Sequence, residues 1–195
     1  MIIIGLTGSI GMGKSTTAQM FREEGCPVFD ADAAVHDLYA KGGKAVPIIR
    51  SVFPDAIKDG AIDRNVLGKH MRGDPLHLKV LESFIHPLVS EARADFFAKY
   101  KEADIVVMDV PLLFETGLDK AVHHIVVVTA PYEVQRQRVL ARQGMTSELF
   151  DSLLTRQTPD GEKRKRAHAL VFTDKGLDNA REQVQIILRD LKSKA

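Results

Sequence analysis

The stretch GLTGSIGMGKSTT, residues 5–17, contains a cluster of glycines, Gly8, Gly11 and Gly13, immediately before Lys14. Glycine loses more conformational entropy on folding than any other residue, so a cluster of three must provide backbone geometry or space that a residue with a Cβ cannot. The cluster therefore predicts that a large polar ligand lies against this backbone.

Residues 8–15, GSIGMGKS, match the phosphate-binding pattern G-x-x-x-x-G-K-[ST] between an apolar run and a helical segment. In such a loop the backbone N–H groups and the positive end of the next helix converge on phosphate oxygens. Lys14 is expected to reach the β- and γ-phosphates of ATP or GTP, and the Ser15 hydroxyl to bind Mg²⁺. The predicted nucleotide-binding residues here are Gly8, Ser9, Ile10, Gly11, Met12, Gly13, Lys14, Ser15 and Thr16.

The composition is that of an ordinary globular chain: 195 residues, 45% of them hydrophobic, enough for one domain with a sizeable core. Lys and Arg (27) nearly balance Asp and Glu (26), so no nucleic-acid partner held by bulk charge is expected. Cys26 is the sole cysteine, which excludes an internal disulfide and fits a reducing cytoplasm. Residues 1–4, MIII, are too short for a signal peptide or a membrane span.

Short runs rich in Ile and Val alternate with longer helical segments, which predicts an α/β fold: a parallel five-stranded sheet flanked by helices. The predicted strands are 2–7, 27–30, 104–110, 123–130 and 169–174. The predicted helical segments are 14–24, much of 33–100, 131–143, 146–156 and 177–193. The crossover from about 31 to 103 is far longer than one covering helix requires and predicts an inserted helical subdomain.

Two groups of charged residues are candidates for chemistry, and each has a structural alternative. Asp32, in DAD (30–32), follows the second predicted strand and either accepts a hydroxyl proton or caps a helix that starts near Ala33. Arg138 and Arg142 are four residues apart on a predicted helix, where they either neutralise a transferring phosphoryl group or form a solvated surface.

Taken in order, the motifs resemble those of the dephospho-coenzyme A kinase family across nearly the whole chain. They are the P-loop GSIGMGKS, DAD (30–32), HPL (86–88), VPLLFE (110–115), the R-x-x-x-R of Arg138 and Arg142, and EKRKRA (162–167). Three positions depart from the usual family pattern: Gln143-Gly144 where an acidic residue is common, His168 in place of aspartate, and Asp174 in place of asparagine. These departures concern the lid and the loop near the adenine.

The resemblance implies ATP-dependent phosphorylation of the ribose 3′-hydroxyl of dephospho-coenzyme A, with Mg²⁺, giving coenzyme A and ADP. It also implies the fold of the nucleoside monophosphate kinases, as a single P-loop kinase domain over 1–195. In that fold the core would be 1–30, 104–135 and 168–195, the acceptor-binding insertion about 31–103, and the helical lid about 136–167. The expected partner is this small-molecule acceptor, without nucleic acid or membrane, and a monomer is favoured.

The resemblance also assigns roles to single residues. Asp32 is implied to be the base or orienting group for the 3′-hydroxyl, and Lys14, Arg138 and Arg142 a cationic cradle. The implied acceptor-binding residues are Asp32, His86, Pro111, Leu112, Leu113 and Glu115; Gly176 is implied near the adenine. Asp109 either holds a metal-bound water or caps the turn before Pro111. His86 precedes Pro87, where a helix break would make its role structural.

Two rival functions remain at this point. One is another small-molecule or nucleotide kinase of the same fold. The other is a P-loop GTPase or a nucleic-acid-dependent ATPase, with EKRKRAH (162–168) as its basic contact, although such a run is more often a solvated helix face. A motor requires polynucleotide for turnover, whereas a kinase requires a small acceptor.

Overall fold

The structure, a computed structural model, describes residues 1–72 and 74–193. Its strands are β1 (Ile2–Thr7), β2 (Val28–Asp30), β3 (Ile57–Lys58), β4 (Ala61–Ile62), β5 (Ile105–Asp109), β6 (His124–Thr129) and β7 (Ala169–Phe172). Five of them form one sheet in the order β2-β5-β1-β6-β7, and β1 pairs in parallel with both β5 and β6, as β6 does with β7. The predicted α/β fold with a five-stranded parallel sheet is confirmed.

Helices cover most of the chain between these strands. They are α1 (Lys14–Glu23), α2 (Ala31–Tyr39), α3 (Ala45–Val52), α4 (Arg64–Met71), α5 (Pro75–Lys99), α6 (Tyr132–Leu140), α7 (Ser147–Leu154), α8 (Asp160–Arg166) and α9 (Leu177–Lys192). Short 3₁₀ turns lie at Pro54–Ala56 and Leu118–Ala121. Within the described ranges, no helix is long and apolar enough to cross a membrane.

The chain divides into two compact units, one of Met1–Phe29 with Tyr100–Ala195 and the other of Asp30–Lys99. In the first unit, alternate residues of the central strands face α1 and α9; Ile4, Leu6 and Val107, for example, are fully buried in this core. Each strand is a nearly continuous apolar run, because helices cover both faces of a parallel sheet. Each buried aliphatic side chain contributes about 1.5–3 kcal/mol. This core holds the loops at the carboxyl ends of the strands in place.

The second unit is helical, with its own buried cluster that includes Leu38, Ile49 and Phe53. It spans the segment for which the sequence predicts an acceptor-binding insertion; that role, like the lid boundaries at 136–167, stays a prediction. A two-stranded hairpin, β3–β4, was not predicted from the sequence. Its turn is Asp59-Gly60, both at positive φ (52° and 83°), a dipeptide typical of tight hairpins.

The helix break suggested at His86 is wrong, because α5 runs without interruption from Pro75 to Lys99 and contains Pro87. Proline removes one backbone N–H and disfavours a helical residue before it. Contacts from α2, α3 and α4 along α5 offset that cost. His86 therefore lies within a helix, with an exposed side chain.

Candidate active site

The P-loop joins β1 to α1 and takes its shape from glycines at positive φ. Gly11 has φ 79° and Gly13, which precedes the first residue of α1, has φ 95°. A side chain at either position would be strained, and a Cβ on Gly13 would also lie 3.2 Å from Thr173 Cγ2. The loop thus leaves Ser15 and Thr16 exposed in the first turn of α1, where N–H groups have no intrahelical partner.

Two residues of the loop, Ile10 and Met12, have N–H groups that are hydrogen-bonded within the protein in this structure. The N–H of Ile10 donates to Gln157 Oε1 at 3.1 Å, and that of Met12 donates to the Ser9 carbonyl at 3.1 Å in a tight turn. The Met12 side chain is buried, with its sulfur accepting the Ala130 N–H at 3.1 Å. The nucleotide-binding roles of Ile10 and Met12 stay predictions, and a phosphate contact through either N–H would have to replace these hydrogen bonds.

Lys14 forms an ion pair with Asp109 at the end of β5. The distance from Nζ to Oδ1 is 2.5 Å, and the side chains are 15% and 2% exposed. The two alternatives for Asp109, holding a metal-bound water or capping the turn before Pro111, both stay predictions; the structure adds that its carboxylate is buried against the Lys14 ammonium. Lys14 is therefore less exposed than an ordinary loop lysine.

A cavity of about 250 Å³ adjoins the P-loop. The predicted residues that line it are Gly11, Gly13, Thr16, Arg138, Arg142 and Gly176. The guanidinium of Arg138 donates to the hydroxyl and the carbonyl of Thr173, each at 2.8 Å, and the Thr173 hydroxyl donates to the Met12 carbonyl at 2.8 Å. Arg138 is thereby tied to both the P-loop and the segment after β7.

The prediction that Arg138 and Arg142 share a helix is wrong, because α6 ends at Leu140. Beyond it the N–H of Arg142 donates to the Val139 carbonyl at 3.0 Å, three residues back, and Gly144 at φ 78° turns the chain away from the helix. Both arginines nevertheless line the same cavity.

The loop after β5 carries four of the residues implied to bind the acceptor. Leu112 is 40% exposed, but Leu113 is 0% exposed and lies beneath Gly5, so the expectation that Leu113 offers apolar surface to a ligand is corrected. The Pro111 carbonyl accepts the Thr7 hydroxyl at 3.0 Å. Glu115 accepts the Thr158 N–H at 2.6 Å. Packing against β1 thus orders this loop.

Lys163 is fully buried, whereas the other charged residues of EKRKRAH are exposed, as a solvated helix face predicts. Its ammonium lies 3.3 Å from Glu115 Oε1 and 3.5 Å from the Pro111 carbonyl. Burial alone would raise the pKa of Glu115, but the Thr158 N–H and the Lys163 charge hold that pKa below its ordinary value. The sequence alone does not separate Lys163 from its exposed basic neighbours.

Asp32 belongs to the second unit, and its role as a helix cap is wrong. The cap of α2 is Asp30, whose carboxylate accepts the Ala33 N–H at 2.9 Å. Asp32 lies in the first turn of α2 with its side chain exposed. Its carboxylate accepts no hydrogen bond from the described residues of its own unit. Asp32 is therefore available for a ligand, while Asp30 starts the helix.

Comparison with known proteins covers nearly the full chain. The family described as dephospho-CoA kinase matches residues 2–179. The dephospho-CoA kinase of Rhizobium etli is 51% identical over 194 residues, 98% of this chain and 95% of the relative. That of Mesorhizobium japonicum is 52% identical, covering 98% of each chain.

Solved structures share the fold of this chain. A Thermus thermophilus protein superposes with a TM-score of 0.84 at 36% identity over 97% of both chains. The dephospho-CoA kinase of Campylobacter jejuni (TM-score 0.69, 21% identity, 97% and 96% coverage) and a shikimate kinase of Acinetobacter baumannii (0.52, 19%, 100% and 94%) share the fold. From its motifs, its P-loop geometry and these matches, the chain belongs to the dephospho-CoA kinase family.

Proposed function

We propose that this chain transfers the γ-phosphoryl group of ATP to the ribose 3′-hydroxyl of dephospho-coenzyme A, giving coenzyme A and ADP, the final step of coenzyme A synthesis. The observation that carries the proposal is the P-loop with its Lys14–Asp109 pair beside a cavity, in a chain of this family. In the reaction a bond forms between the 3′-oxygen and the γ-phosphorus. The bond from that phosphorus to the β–γ bridging oxygen breaks, and the hydroxyl proton leaves to a base.

The chain's own contribution is positioning and charge, because phosphoryl transfer asks for little covalent chemistry from the protein. In this proposal the Lys14 ammonium shifts from Asp109 toward the β- and γ-phosphates when ATP binds. Arg138 and Arg142 supply further cations, and the cavity that both line together with Gly176 takes the nucleotide. Charge developing on the transferred group is thereby met by fixed cations.

The donor set at the P-loop fits Mg²⁺. The described residues contain no cluster of three or more acidic, His or Cys side chains that could hold a metal alone. Mg²⁺ is commonly bound through one or two protein oxygens together with substrate phosphates and waters. The exposed Ser15 hydroxyl and the buried Asp109 carboxylate would hold it, directly or through water. When bound, Mg²⁺ neutralises phosphate charge.

We assign the acceptor side to Asp32, His86, Leu112 and the loop that contains Pro111 and Glu115. Asp32 would accept or orient the 3′-hydroxyl proton, which its exposed carboxylate, free of capping, is able to do. Leu112 offers exposed apolar surface. Glu115 and Leu113 would act indirectly by holding the loop.

The direct test is to incubate the protein with MgATP and dephospho-coenzyme A and to identify the products by mass. Coenzyme A and ADP in equal amounts are expected, with no turnover of ATP stimulated by polynucleotide. Phosphorylation of another small alcohol or nucleotide in preference would favour a different kinase of this fold. ATP hydrolysis that requires polynucleotide would overturn the kinase proposal.

Substitution of the two arginines that line the cavity should lower turnover in both cases but should affect stability differently. Arg142→Ala is expected to lower turnover at least roughly tenfold with an unchanged melting temperature, since an exposed charge contributes about 0–1 kcal/mol to folding. Arg138→Ala is expected also to lower the free energy of unfolding by about 1–2 kcal/mol, because it loses two bonds to Thr173. Steady-state rates and thermal unfolding check both, with exposed Arg189→Ala as the control. Wild-type rates in both variants would exclude the two arginines from the mechanism.

A further inference from the structure

Two glutamine side chains hold the tip of the P-loop. The carbonyl of Ile10 accepts Nε2 of Gln135 at 2.7 Å, and the N–H of Ile10 donates to Oε1 of Gln157 at 3.1 Å. Gln135 is a buried residue of α6, and Gln157 is a half-buried residue between α7 and α8. Both polar groups of one loop residue are thus satisfied from outside the loop, so the tip cannot shift without breaking them.

The chain at Gln157 is itself fixed by its neighbours. The next residue, Thr158, donates its N–H to Glu115 at 2.6 Å, and Glu115 pairs with the fully buried Lys163. Lys163 also lies 3.5 Å from the Pro111 carbonyl, in the loop that directly follows Asp109. Gln157 therefore reaches the P-loop from a segment that is anchored to the loop after β5.

The bond to Gln157 lies next to the residues that give the loop its shape. Gly11, which follows Ile10, is at φ 79°. Glycine adopts positive and negative φ about equally well, so Gly11 by itself does not fix the conformation of the loop. A support on Ile10 selects one conformation among those that the glycines permit. When only a fraction of a protein population is competent to bind, the apparent dissociation constant rises by the inverse of that fraction.

We propose that Gln157 is a positioning residue for nucleotide binding: by accepting the Ile10 N–H it holds the P-loop in its phosphate-binding conformation. The kinetic part of this inference rests on the proposed function, but the binding part does not. A backbone N–H left without its partner shifts such an equilibrium by roughly 5- to 100-fold. Removal of Gln157 Oε1 should therefore weaken nucleotide binding without changing the binding of dephospho-coenzyme A.

The test uses Gln157→Met, which keeps the length of the side chain but lacks the acceptor oxygen, and Gln157→Ala, which lacks both. The dissociation constant of the Mg²⁺ complex of β,γ-imido-ATP is measured by calorimetry, without any acceptor present. We expect both variants to bind roughly tenfold more weakly than the wild type, within the range above. Exposed Gln143→Met, from the same predicted lid, is the matched control and should bind normally.

Kinetics and unfolding distinguish positioning from a general structural role. The KM for ATP should rise by the same factor as the dissociation constant, while the KM for dephospho-coenzyme A stays at its wild-type value. Normal nucleotide binding in Gln157→Met would overturn the proposal, as would a lower melting temperature with equal increases in both KM values. If the wild type does not phosphorylate dephospho-coenzyme A, the calorimetry still decides the role of Gln157.

Discussion

Lys14→Ala is expected to lower kcat/KM for phosphoryl transfer at least roughly a hundredfold, because it removes the ammonium expected at the β- and γ-phosphates. It is also expected to lower the free energy of unfolding by about 1–3 kcal/mol, the cost of leaving a buried polar group without its partner. Lys14 is paired with Asp109, whose side chain is 2% exposed, and a buried carboxylate that loses its partner is destabilising. A lysine on an exposed loop would show the first effect without the second. Turnover and thermal unfolding, measured on one preparation, check both.

A double variant separates the two effects. Lys14→Met with Asp109→Asn removes both charges, so stability should recover while turnover stays low. Lys101→Ala is the control: Lys101 forms an exposed pair with Glu102 at 3.8 Å, and its substitution should change neither measurement. Wild-type turnover in Lys14→Ala would remove the P-loop from the mechanism.

The sheet could be predicted because each of its strands is a short apolar run bounded by turn residues. β5 and β6 are buried along nearly their whole length, and the pattern of Ile and Val in the sequence follows from that burial. The P-loop was equally visible, because its glycines and lysine have fixed spacing. Strand patterns and motif spacing are local properties of the sequence, so they can be recognised without knowing which distant residues are in contact.

Errors arose where two neighbouring residues compete for one role or where packing outweighs local preference. In DAD the two aspartates are equivalent by residue type, and only the backbone geometry shows that Asp30 caps α2. Pro87 predicts a break in an isolated helix, but contacts along α5 keep it continuous. Local propensity is a weak prior that tertiary packing overrides.

The contacts that fix the P-loop and the loop after β5 could not be predicted, because their partners lie far apart in the chain. Gln157 and Ile10 are separated by 147 positions, and a lone glutamine carries no motif. Lys163 lies in a basic run, yet it is buried because Glu115 and the Pro111 carbonyl meet its ammonium. A charged group is buried when such partners exist, and only the fold brings them together.

Asp32→Asn is expected to leave folding and ATP binding unchanged while phosphoryl transfer to dephospho-coenzyme A slows at least roughly a hundredfold, the lower end of a general-base contribution. Because Asp30 caps α2, the structural alternative for Asp32 is a first-turn charge on the helix dipole, worth about 0.3–1 kcal/mol and without effect on turnover. Single-turnover rates, nucleotide affinity and melting temperature distinguish the two roles. Asp37→Asn, an exposed aspartate of the same helix, is the matched control and should retain wild-type turnover. Near wild-type transfer by Asp32→Asn would contradict the catalytic assignment, and the Asp32 carboxylate would then only interact with the dipole of α2.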